Sequence, residues 1–135
     1  MPDTLTVTLA VADLAASEEF YAATLGLAVE RFVPLPGHPP LLLLRMGAAT
    51  LLFREDAVLE ALHPAALQNL QRHPRGVGVI LELTLPDLAG ARRRLARRRW
   101  HLLYQLEDAE FAREEIWLHD PDGYLLVLGT PPAHR

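Results

Sequence analysis

The sequence predicts an α+β fold: two tandem βαβββ modules with curved mixed sheets whose inner faces form a cleft. Three observations carry this. A strand-like run, a capping Asp and an amphipathic helix occur in that order twice, at 4–25 and 77–99. The caps, Asp13-Leu14 and Asp87-Leu88, stand 87 − 13 = 74 residues apart, and the strands before them match at that offset, Val7 with Leu81, Leu9 with Leu83 and Val11 with Leu85. Each half ends in a hairpin that matches at the same offset: Arg45 with His119, Thr50 with Tyr124, Phe53 with Val127. A constant offset marks an internal duplication.

The elements follow in order. Residues 4–11 alternate, with Leu5, Val7, Leu9 and Val11 on one face and Thr4, Thr6, Thr8 and Ala10 on the other, which predicts a half-buried strand. Asp13 caps a helix over 14–25 that carries Leu14, Tyr21 and Leu25 on one stripe, and Gly26 stops it. A second strand is expected over 27–33. The proline-rich segment 34–40 is a loop. Residues 41–46 and 49–54 form a hairpin around Gly47-Ala48. Short helices are expected at 57–62 and 64–70. The second half repeats the pattern: a strand over 77–85 with Val79, Leu81, Leu83 and Leu85 on one face, a helix from Asp87 to about residue 99, a strand over 100–106, a polar loop over 107–114 and a closing hairpin. Its turn, Asp120-Pro121-Asp122-Gly123, has a mechanism: Pro presets φ, Asp bonds the local backbone, and Gly accepts a positive φ.

With 135 residues the chain predicts one domain, made of a first module over 4–54, a partly helical linker over 55–75 and a second module over 76–130. Half the residues are apolar and 22% are charged, which excludes a disordered chain. A net charge of −4 argues against nucleic acid as a partner. There are no cysteines, hence no disulfide, thiolate ligand or Cys nucleophile. No apolar run reaches membrane-spanning length and no leader pattern is visible, so a cytoplasmic protein is expected. The run Arg92-Arg93-Arg94-Leu95-Ala96-Arg97-Arg98-Arg99 reads as a solvated helix face packed through Leu88, Ala91 and Leu95. His38, His63, His73 and His134 lie in loops or beside Pro without metal-like spacing, which favours a surface role.

The pattern Val11-x-Asp13-Leu14-x-x-Ser17-x-x-Phe20-Tyr21-x-x-x-Leu25-Gly26-Leu27, followed by Asp120-Pro121-Asp122-Gly123, resembles the vicinal oxygen chelate superfamily. That group includes glyoxalase I, extradiol dioxygenases, and fosfomycin and bleomycin resistance proteins. The resemblance implies a divalent metal held by His and Glu on inward strand positions. Carried onto this chain, those positions are Thr6, Phe53, Ile80 and Val127, none of which is His, Glu or Asp. The resemblance therefore points to the bleomycin resistance branch, which lacks the metal and sequesters its ligand in clefts of a dimer.

Strand parity nominates the lining independently: Thr6, Thr8, Ile80, Glu82, Glu115, Trp117, His119 and Val127, with Thr84, Leu125, Leu51 and Phe53 also inward. An apolar and aromatic wall with carboxylates and a His suits a flat, aromatic or partly cationic ligand, stacked on Trp117 and paired with Glu82 or Glu115. The expectation is a non-metal small-molecule binder without cofactor or catalytic residues, working as a homodimer. The alternative is a metal-dependent lyase, isomerase or dioxygenase with a displaced site, for example Glu82 with His119.

Overall fold

The computed structural model describes residues 3–110 and 113–131; His134 lies outside them. The chain forms β1 (Leu5–Val11), α1 (Leu14–Glu18), β2 (Val29–Phe32), β3 (Leu41–Met46), β4 (Ala49–Glu55), α2 (Asp56–Leu62), β5 (Ile80–Thr84), α3 (Leu88–Arg97), β6 (Leu102–Asp108), β7 (Arg113–His119) and β8 (Leu125–Gly129). A π-helical turn, Glu19–Thr24, continues α1, and a single 3₁₀ turn lies at Leu70–Arg72. Two four-stranded sheets result, ordered β1-β4-β3-β2 and β5-β8-β7-β6, each with one parallel and two antiparallel pairs. This is the βαβββ pattern, twice. The chain divides into two compact units: residues up to Ala23 with Leu27–Pro74, and Thr24–Gly26 with the chain from Arg75 onward.

Each unit buries one face of its sheet. In the first, Leu9, Val11, Leu42, Leu44, Leu51 and Phe53 are buried. Phe53 meets the Tyr21 ring at 4.8 Å between centroids, and Tyr21 meets Phe20 edge-on at 5.0 Å. The start of α1 is held from two sides. Asp13 Oδ1 accepts the Ala15 N–H at 3.0 Å, and Glu55 Oε2, at the end of β4, accepts the Leu14 N–H at 3.1 Å. In the second unit Leu83, Leu126, Leu128, Ile116 and Leu118 are buried, as are Leu88, Ala91 and Leu95 of α3. Asp87 Oδ1 accepts the Gly90 N–H at 2.9 Å to begin that helix.

The structure differs from the sequence reading at several places. Phe53 does not face inward. The pairs Thr8↔Leu52 and Glu82↔Val127 occupy equivalent places, so the offset is 82 − 8 = 74 on β1 and β5 but 127 − 52 = 75 on β4 and β8. The cause is the hairpin. Met46 and Ala49 pair across two turn residues, whereas Asp120 and Tyr124, joined by Asp120 N–H to Tyr124 O at 2.9 Å, enclose three. One extra residue reverses the parity of everything after it. Leu51 and Phe53 therefore join the core, and Thr50, Leu52 and Arg54 take the other face.

The expected strand over 77–85 begins only at Ile80, and Val77 and Val79 are exposed. The expected helix at 64–70 is a turn, with Asn69 at φ 55°. The polar loop is shorter than expected because β6 and β7 extend into it. The Arg run is not uniformly solvated. Arg92 pairs with Glu114 at 2.7 Å, while the Arg94 guanidinium donates to Thr24 O at 2.7 Å and Leu25 O at 3.3 Å.

Candidate functional site

The open face of the second sheet follows from strand parity. Leu81 and Leu83 turn toward the core, which leaves Ile80, Glu82 and Thr84 on the other side of β5. Register carries that face across the sheet. Glu82 stands opposite Val127, Val127 opposite Trp117, and Trp117 opposite Tyr104. These four side chains form one row across all four strands. On one side lies the row Ile80, Leu125, His119; on the other lie Thr84, Gly129, Glu115 and Leu106. Strands are about 4.8 Å apart, so Glu82 and Trp117 sit on backbones separated by about 10 Å.

The aromatic end is preorganised. Tyr104 and Trp117 meet edge-on at 5.8 Å with planes 75° apart. Trp117 Nε1 lies 3.4 Å from Glu115 Oε1, which steadies the indole. Glu115 is in turn 3.5 Å from the Arg113 guanidinium, so its charge is already shared. Glu82 is different: exposed, and without a hydrogen bond or ion pair among the described residues. Tyr104 is 59% exposed, Ile80 50% and Leu106 51%, while Val127 between them is buried at 3%. The face thus offers a free carboxylate, an apolar floor and an aromatic corner in a line.

His119 is exposed beside Leu125, and its carbonyl accepts the Trp100 Nε1–H at 2.9 Å. The following turn is rigid. Asp120 Oδ1 accepts the N–H groups of Asp122 at 2.9 Å and Tyr124 at 3.0 Å. Thr6 and Thr8 are exposed on the open face of the first sheet, opposite Thr50 and Leu52. Phe53, 0% exposed, lies on the other face. Sequence reasoning missed Tyr104, because a bulge between Leu102 and Tyr104 interrupts the alternation of β6, and missed Leu52 and Arg54 through the hairpin slip.

The model of the Glyoxalase/Bleomycin resistance protein/Dioxygenase superfamily matches residues 4–128. The chain belongs to this superfamily. Among solved structures of the glyoxalase fold it is similar to a lactoylglutathione lyase from Agrobacterium tumefaciens, at 19% identity and a TM-score of 0.59, over 96% of this chain and 94% of that one. It is also similar to a superfamily member from Sphaerobacter thermophilus, at 15% identity and a TM-score of 0.64, over 97% and 98%. A glyoxalase/bleomycin resistance protein from Catenulispora acidiphila matches at 18% identity and a TM-score of 0.60, over 97% and 100%. At such identities the likeness shows the glyoxalase fold. No curated protein matches the sequence.

Superfamily enzymes hold a divalent metal at strand positions that here are Thr6 and Ile80 on β1 and β5 and, with the register corrected, Leu52 and Val127 on β4 and β8. These residues do not fit a metal: three are hydrocarbons and the fourth is a neutral hydroxyl. Among the described residues no three His, Asp or Glu side chains are grouped to hold one. No helix of the described residues is long and apolar enough to cross a membrane.

Proposed function

We propose that this protein is a non-metal small-molecule binder of the bleomycin resistance type, which sequesters a flat, aromatic, partly cationic ligand as a homodimer in the cytoplasm. The observation that supports this best is the row Glu82–Val127–Trp117–Tyr104. A ring stacked on the indole, with Tyr104 closing one side, leaves a positive group about 10 Å away at the free Glu82 carboxylate. Binding needs no proton transfer and no metal, in keeping with the apolar residues at the superfamily's ligand positions.

Trp117 is itself the reporter. Quenching of tryptophan fluorescence, followed by calorimetry, is measured with aromatic cations, their neutral analogues and bleomycin. Cationic aromatic ligands quench and bind at least about tenfold more tightly than neutral analogues, since a charge-assisted contact contributes about 1.5–3 kcal/mol. Glu82→Gln removes that preference, and Trp117→Leu weakens charged and neutral ligands alike. Equal binding of both classes by the native protein overturns the reading.

A further inference from the structure

The hairpin slip that sends Phe53 into the core sends its neighbour Arg54 the other way, beside Leu52 on the open face of the first sheet. There its side chain enters the wall of a cavity of about 340 Å³. That volume falls at the lower end of the roughly 300–1,000 Å³ of small-molecule sites. The remaining wall is mostly hydrocarbon: Pro34 and Pro39 from the loop before β3, and Val58, Ala61 and Leu62 from α2. The two prolines restrict φ at their own positions in that loop. His38 is the other polar group of the lining, and no carboxylate contributes.

Arg54 is half-buried and makes no hydrogen bond or ion pair through its side chain among the described residues. The acids next to it in sequence are committed elsewhere. Glu55 holds the Leu14 N–H at 3.1 Å, and Asp56 is buried at 1% exposure. A partly desolvated guanidinium in a hydrocarbon wall is stabilised by an incoming anion, and its planar fork matches a carboxylate in bidentate fashion. Exposed apolar residues adjoin the wall in sequence. Val33 and Leu35, which flank Pro34, and Leu62 in the wall all remain about half exposed. A ligand with an apolar body would cover them.

We infer that the first unit carries a second site, between β4, α2 and the loop at 34–39, for a small apolar or aromatic monocarboxylate. One guanidinium beside a His in a hydrocarbon wall neutralises a single negative charge, which favours a monocarboxylate over a phosphate ester. This site is independent of the cation-seeking face on the second sheet: it lies on the other unit and selects the opposite charge.

The test is calorimetry of the full chain with 1-naphthoate and, for comparison, the isosteric neutral 1-naphthamide. Naphthoate binds at least about tenfold more tightly than the amide. Arg54→Met abolishes that difference, and Arg45→Met, at an exposed position outside the cavity wall, leaves it unchanged. Equal affinity for acid and amide, a preference that survives Arg54→Met, or no saturable binding of naphthoate at millimolar concentration overturns the inference. Should Arg54→Met fail to fold by circular dichroism, Ala61→Phe decides. This exposed helical position tolerates the ring, which occupies the cavity and weakens naphthoate binding at least about tenfold; unchanged binding overturns the site.

Discussion

Phe53 and Arg54 are neighbours with opposite surroundings, and the difference is measurable. Phe53 contacts Tyr21 at 4.8 Å in a fully buried core, so Phe53→Ala costs about 3–5 kcal/mol, whereas Leu52→Ala on the open face costs under about 1.5 kcal/mol. Urea denaturation of both variants checks the register directly, because a strand with the opposite parity would reverse the order. Asp120 is the second decisive residue. It is buried at 4% exposure and accepts two backbone N–H groups, so Asp120→Ala costs about 1–3 kcal/mol by the same measurement, and Asp120→Asn, which keeps one acceptor oxygen, costs less. Its type was legible in the Asp-Pro-Asp-Gly turn. The parity of Phe53 was marked only by Thr50 and Arg54 at either end of Leu51-Leu52-Phe53, and the constant offset of 74, which matches Phe53 with Val127, points the other way.

At the level of elements, the helices are held by caps that the sequence announces and by one clamp that it does not. Asp13 and Asp87 cap as expected. The end of the first helix is another matter. It widens into a π turn, Leu27 N–H reaches back to Tyr21 O at 3.0 Å, and Gly26 sits at φ 77°. Arg94 of α3 then satisfies the carbonyls of Thr24 and Leu25. The positive φ favours glycine at Gly26, and a Cβ there would come within 2.6 Å of the Arg94 guanidinium and displace it from its carbonyl partners. Arg94→Met is expected to lower stability by about 1–3 kcal/mol. Arg92→Ala, at a half-exposed ion pair with Glu114, costs about 1 kcal/mol or less, and 1 M salt removes most of that small difference. Thermal denaturation of the two variants with and without salt separates them. Within the sequence the six Arg look equivalent, and only their partners across space distinguish them.

At the scale of the whole molecule, the duplication carried the fold class, composition carried the expectation of a folded chain, and the superfamily's ligand positions carried the expectation of a protein without metal. Those positions hold hydrocarbon side chains on β4, β5 and β8 and a threonine on β1. Zinc, manganese, iron or nickel is therefore expected to leave the melting temperature within about 1 °C, because a species that binds neither state shifts no equilibrium. Differential scanning calorimetry with each metal and with EDTA checks this. Stoichiometric metal lost on Glu82→Ala or His119→Ala would instead establish a displaced centre. Sedimentation equilibrium tests the proposed homodimer.

By itself, the sequence determined what local chemistry can encode: the period of two in β1, the Asp caps, the glycine stop, the turn residues and the repeat. These depend on neighbours within a few positions, so they are written in order along the chain. Tertiary structure decided which side each strand shows after its hairpin. Side-chain direction has a period of two, and one residue more in the Asp120–Tyr124 turn than in its counterpart reverses every later position. Trp117 with Tyr104, and Arg54 with the loop at 34–39, are likewise joined across strands and loops. The open face near Glu82 was partly legible because its apolar partners alternate cleanly; the Arg54 cavity was not, because its wall is assembled from three separate segments.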